Sequence, residues 1–153
     1  MTMWERDELA IRPVVGSMFV VMACSDMQEA DQVGRCLSEL KTGCLITYLK
    51  AEDLALNAPS GTVALVILAT DDSSPVLGKT LDWLRHRWPR CPITVVGDVG
   101  CGEHEMAARE GGATFLTRPV SPGHWLAILP HAFSKAQQGL PSTTGDGQYA
   151  PAR

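Results

Sequence analysis

Three features are missing from this chain, and each removes a class of function. No Lys/Arg cluster dense enough to neutralise a phosphate backbone occurs in its 153 residues, and 17 Asp and Glu against 13 Lys and Arg leave a net charge of -4. That balance argues against a nucleic-acid partner bound through phosphate contacts. No CxxC pair is present: Cys24, Cys36, Cys44, Cys91 and Cys101 are odd in number and scattered, so neither a disulfide framework nor a structural zinc site is signalled. Finally, no apolar run is long enough to cross a bilayer. The stretch from Val14 to Cys24 falls short of the roughly 20 residues a span needs, and the acidic residues ahead of it, Glu5, Asp7 and Glu8, are the wrong flank for a signal peptide. Reduced thiols, a cytoplasmic setting and no membrane partner are the expectation.

What is present suits one globular domain with an adequate core, with 45% hydrophobic and 20% charged residues. The chain is organised around Val63 to Asp72, VALVILATDD. Val63 to Leu68 are all apolar and mostly branched, as in a parallel strand covered on both faces. Ala69 and Thr70 close the run, and Asp71, Asp72, Ser73, Ser74 and Pro75 make the chain polar where a strand of an open α/β sheet meets its ligand crevice.

Four further strands read similarly: Met18 to Cys24, Cys44 to Leu49, Ile93 to Val96 and Ala113 to Thr117. Between them lie helical patterns. After the first strand, Ser25 or Asp26 can cap a helix, with Gln28 or Glu29 completing a capping box. Its apolar stripe is Met27, Ala30, Val33, Leu37 and Leu40, and Gly43 marks the stop. Ala51 to Asn57 is a short helix. Ser74 and Pro75 open another that runs to about Arg87 with Leu77, Leu81, Leu84 and Trp88 inward. Trp83 lies at the edge of that stripe, an indole that could anchor a partner. Glu103 to Glu110 is polar and alanine-bearing. Ser121 and Pro122 open the last helix, which Pro130 should kink or shorten before Phe133. Residues 1–17 read as an irregular arm or a short helix from Glu5 to Ile11, and residues 134–153 as a disordered tail or linker. The domain proper is 18–133. Five alternating strands and helices predict a doubly wound parallel sheet with helices on both faces; the flavodoxin-like strand order 2-1-3-4-5 is the order chosen for it, since strand order itself is not visible in the sequence.

Over Met18 to Phe133 the chain resembles the CheY-like receiver domain of bacterial response regulators. The resemblance rests on LVIL before the third loop, on GGATFLTRPVSP around the fifth strand, and on the five-fold β/α rhythm. It implies a role in two-component signalling and a pocket with fixed chemistry: an acidic pair after the first strand for magnesium, an Asp after the third to accept a phosphoryl group, a Thr or Ser after the fourth and a Lys after the fifth. This sequence departs at nearly every place. The acidic pair falls on Ala23 and Cys24, the acceptor on Ala69, the hydroxyl on Gly97, and the Lys on Arg118. A rival alignment keeps Pro75 four residues after Asp71 and makes Asp71 the acceptor, at the cost of a strand two residues longer. Arg118 could then pair with Asp71 or Asp72 and stand in for the metal's charge.

The first functional reading is therefore a non-enzymatic, phosphorylation-independent receiver that docks or dimerises, with no cofactor or metal, a protein partner or second copy, and an effector domain possible beyond the tail. Its interaction face would lie on the fourth helix, fifth strand and fifth helix, with Phe115 and Trp125 as anchors, Ala107, Ala108 and Gly111 allowing close approach, and Arg109, Glu110 and Arg118 as rim. A conventional phosphoacceptor at Asp71 is one alternative. Another is a cysteine phosphocarrier, since Cys24 follows the first strand where such a nucleophile stands, although SDMQEAD supplies acids and no Arg or Gly. Nucleotide or flavin binding at GDVGCG, Gly97 to Gly102, is a third; it lacks GxGxxG spacing and leads to an acidic helix. His86, His104, His124 and His131 show no ligand spacing.

Overall fold

Branched apolar residues set the sheet, and the helices follow from what that sheet must bury. The computed structural model describes residues 18–139; the arm over 1–17, with its helix, lies outside them, as do residues 140–153. The elements in chain order are β1 (Met18–Cys24), α1 (Met27–Leu40), β2 (Cys44–Tyr48), α2 (Ala51–Leu56), β3 (Thr62–Ala69), α3 (Ser74–Arg87), β4 (Ile93–Gly97), α4 (Gly102–Glu110), β5 (Thr114–Thr117) and α5 (Pro122–Gly139). All pairings are parallel and the strand order is 2-1-3-4-5. This is the doubly wound, flavodoxin-like sheet the alternation predicts.

Side chains alternate along the central strands and divide the core into two layers. Val20, Met22 and Cys24 of β1 with Leu65 and Ile67 of β3 face α1 and α5, where Val33, Leu37, Trp125, Leu129 and Phe133 meet them. Val21 and Ala23 with Val66 and Leu68 face α2, α3 and α4, where Leu54, Leu77, Leu81, Leu84 and Ala108 meet them. Helices thus cover both faces, which is why β1 and β3 are apolar at nearly every position.

Helix ends show where local chemistry decides. Asp26 caps α1, its Oδ1 accepting from the Gln28 N–H at 2.9 Å. The helix stops at Leu40, before Gly43, because Lys41 takes the left-handed conformation at φ 56° and its N–H donates to the Leu37 and Ser38 carbonyls. Met27, expected in the inward stripe, is 55% exposed, and Cys36 is buried instead. In α3 the inward positions Leu77, Leu81 and Leu84 are as expected, and Trp88 is half-buried against Trp83, with ring centroids 6.1 Å apart and edge to face.

The carboxyl-terminal helix departs most from expectation. α5 neither ends at Pro130 nor at Phe133 but continues to Gly139. Pro130 is on the exposed side, where water can satisfy the carbonyl its missing N–H leaves without a partner. Beyond it Ala136 packs on the α1/α5 layer of the core, so Ser134–Gly139 belong to the domain rather than to a tail.

Candidate functional site

Parallel strands bring their carboxyl ends to one edge. β1 ends at Cys24 and β3 at Ala69, which are register partners, while β4 ends at Gly97 opposite Thr117 of β5. Arg118 follows directly. Its backbone N–H donates to the Gly97 carbonyl at 2.8 Å, which extends the β4–β5 ladder by one bond and aims the side chain back across the edge.

That side chain closes the edge. Arg118 Nε donates to Glu29 Oε2 at 2.7 Å and Nη2 to Glu29 Oε1 at 3.3 Å, a forked contact with the first turn of α1. Nη2 also donates to the Ala69 carbonyl at 3.1 Å, and Nη1 to Asp98 Oδ1 at 3.2 Å. The Arg118 and Glu29 side chains are 21% and 18% exposed, whereas Asp98 is 65% exposed, so the Glu29 contact carries most of the energy and the Asp98 contact is a screened rim interaction. Burial works against the Arg118 charge, but hydrogen bonds and charge from Glu29, then Asp98, outweigh it and hold the guanidinium more firmly protonated than usual. The pairing with Asp71 or Asp72 considered from sequence is thus corrected: Arg118 turns to Glu29. Glu29 in turn does not complete a capping box. A double-mutant cycle on Glu29→Ala and Arg118→Ala is expected to show a coupling of about 1–2 kcal/mol in urea unfolding; additive losses would mean the fork contributes nothing.

The third loop is arranged separately. β3 ends at Ala69, so the longer strand that would put Asp71 at its terminus does not form. Asp71 is exposed. Asp72 is tied locally: Thr70 Oγ1 donates to its Oδ2 at 2.9 Å, and His104 Nε2, on α4, lies 2.6 Å from its backbone carbonyl. His104 therefore links the β3–α3 loop to α4, a role its sequence context did not signal.

Gly97 and Phe115 pack closely together. A Cβ on Gly97 would stand 2.8 Å from Phe115 Cζ, closer than carbon atoms approach, so the half-buried ring occupies the space a Thr or Ser would need. Cys24 is 1% exposed, and burial first, then Glu29 and Asp26, push its thiol up, away from the thiolate a phosphocarrier requires. The loop GDVGCG opens α4 with Glu103 and Glu105 in the first turn, an unfavourable setting for phosphate.

The anticipated interaction face is revised. Trp125 is 2% exposed and belongs to the core, not to a face. Ala108 is buried, and Gly111 abuts Leu81 of α3, where a Cβ would meet Cδ1 at 2.6 Å. Their smallness serves α3–α4 packing. Ala107 is half-buried; Glu110 and Met106 remain outward, Met106 at 62% exposure.

No protein-family model and no curated protein sequence matches the chain. Solved structures do match. The beryllofluoride-activated DrrB receiver domain, of a Thermotoga maritima protein, superposes with a TM-score of 0.62 at 20% identity over 77% of this chain and 97% of that one. The beryllofluoride-activated NtrC4 receiver domain dimer gives 0.64 at 17% identity over 77% and 98%. A CheY-like protein, TadZ of Pseudomonas aeruginosa PAO1, gives 0.59 at 16% over 76% and 99%. The chain has the receiver fold.

A working receiver holds magnesium at this edge through hard oxygen ligands. At this edge the strand-end residues Ala23, Cys24 and Ala69 offer two methyls and a buried thiol, none of them a hard oxygen side chain, and the Arg118 guanidinium reaches the Ala69 carbonyl, so these residues do not suit a magnesium ion. Among the described residues no cluster of three His, Cys, Asp or Glu side chains is placed to hold a metal, and no helix is long and apolar enough to cross a membrane.

Proposed function

We propose that this chain is an atypical receiver module, acting in signal transduction by docking to a protein partner or to a second copy without phosphotransfer. The observation that carries the reading is the position of Arg118. Its guanidinium, fixed by Glu29, Asp98 and the Ala69 carbonyl, supplies internally the positive charge that a receiver's magnesium and Lys would direct at a phosphoryl group, and an internal carboxylate neutralises it. A pocket whose charges are already paired has little to offer an incoming dianion.

The contact surface in this reading centres on α4, where Met106 is exposed beside the Arg109–Glu105 pair and Glu110. One neighbour of this fold, the beryllofluoride-activated NtrC4 receiver domain, is a dimer. Trp125, being buried, has no part in the contact surface.

Incubation with magnesium and acetyl phosphate, followed by intact mass measurement, tests the absence of phosphotransfer. No added phosphoryl mass is expected. A stable gain that vanishes in Asp71→Asn would instead establish a conventional acceptor. For the contact surface, Met106→Glu and Glu110→Lys should reduce self-association in sedimentation or binding to a co-purified partner; two folded variants with unchanged association would place the contact elsewhere.

A further inference from the structure

The opposite, amino-terminal edge of the sheet carries a cleft that none of the chemistry above uses. It is lined by Val63 and Ala64 at the start of β3, by the Trp88–Pro92 turn that leads into β4, and by Lys135 and Ala136 on the last turns of α5. Its volume is about 350 Å³, within the range of small-molecule sites.

The lining has two characters. Val63, Trp88, Pro89, Pro92 and Ala136 make it largely apolar, while Arg87, Arg90 and Lys135 add three cations, and among the described residues no Asp or Glu lines it. None of the three cations takes part in an ion pair among the described residues. The Arg87 end of the lining is held by aromatic contacts. The Arg87 guanidinium carbon stands 4.9 Å from the Trp88 ring centroid, and Trp83 meets Trp88 edge to face. Cys91, buried beneath, is held neutral by that burial, and the Lys135 ammonium is near enough to act on its thiol. Three like charges over an apolar cleft repel one another, and an anion relieves that repulsion while its apolar body displaces water.

We propose that this cleft binds a small amphipathic anion: an aromatic body lying against Val63, Trp88 and Pro92, with a carboxylate or sulfonate head among Arg87, Arg90 and Lys135. The site is at the far edge from Arg118 and stands independently of how the carboxyl edge is read. It requires no reorganisation of the sheet, and its affinity should depend on ionic strength because all three cations are exposed.

The aromatic sulfonate 1-anilinonaphthalene-8-sulfonate is a suitable probe, titrated into the full chain by fluorescence and calorimetry, with 2-naphthoate as competitor. One saturable site is expected. Arg90→Glu combined with Lys135→Glu should weaken it by about tenfold or more, as should raising salt from about 50 to about 500 mM. Ala136→Trp, which fills the cleft, should abolish it, while Arg109→Glu on α4 should leave it unchanged, with circular dichroism confirming that each variant is folded. Absence of binding, or binding indifferent to the charge reversals, overturns the proposal. So does a dimer that Ala136→Trp converts to monomer, since a second copy would then be what covers the cleft.

Discussion

Trp125→Ala is expected to lower the unfolding free energy by about 3–5 kcal/mol, the range for removing a large aromatic side chain from a core. The indole sits in the layer shared by α1, α5 and the sheet, with Val33, Leu37, Leu129 and Phe133 in the same cluster. Removing the indole enlarges the adjoining cavity lined by Met22, Val96 and Val120, and Leu129 and Phe133 lie on the same helix as Trp125. For a domain of this size the loss is a large fraction of total stability, so the variant should melt many degrees lower or fail to accumulate. Trp125→Phe, which keeps most of the apolar volume, should cost distinctly less. Urea titration decides: a loss below about 1 kcal/mol for the alanine variant would be that of a surface position and would return Trp125 to the outer face.

That residue also shows where the sequence stops being informative. HWLAIL announces a helix, but a helix flanked by a sheet on one side and solvent on the other offers an indole two destinations, and only packing decides between them. The strands were readable because a run such as VALVIL has no polar side to misplace. Strand order is not visible in the sequence, and neither is the pairing of Cys24 with Ala69, which is reached through a register shift between Phe19 and Val20. α5 was cut short because SKAQQG is polar, yet it needs only Ala136 on the inner side to continue. At the carboxyl edge Ala23, Cys24, Ala69 and Gly97 were legible as strand-end residues without oxygen side chains, and that they stand for a receiver's pocket positions belongs to the proposed reading. The contact that closes the edge was not legible. Arg118 and Glu29 are 89 positions apart, and the spacing of Glu29 from Asp26 already gave it a local role as a capping-box partner. Nor could composition reveal that the Phe115 ring fills the space Gly97 leaves.

The second large effect is alkaline. In the unfolded chain the Cys91 thiol titrates near its ordinary value of 9.0; in the fold, burial pushes it up to about 12, against smaller opposing effects of the Arg85 and Lys135 charges. Between those values the unfolded chain has released the proton and the folded one has not. Stability is therefore fully present below about pH 9 and falls as pH rises toward 12, by about 1.4 kcal/mol per unit and at most about 4 kcal/mol in all. Cys24 and Cys36 are raised in the same sense by burial and add to the slope. Urea unfolding of the wild-type chain and Cys91→Ala at pH 8 and pH 10.5 separates the contribution. The difference between the two proteins should shrink as pH rises; a constant difference would show that the thiol ionises as readily in the fold as in water.

The Phe115 ring lodged over Gly97 bears on how such a module could be controlled. A switch needs two arrangements of similar free energy, and on the proposed reading no hydroxyl stands at Gly97 to draw the ring from one to another. On the proposed reading, covalent marking and its removal then cease to be the control variable, and the quantity left to regulate is the number of copies present. Synthesis, proteolysis and competition for the docking surface become the means of adjusting output. The response would therefore be graded in protein concentration and as slow as protein turnover, rather than as quick as the transfer and loss of a phosphoryl group.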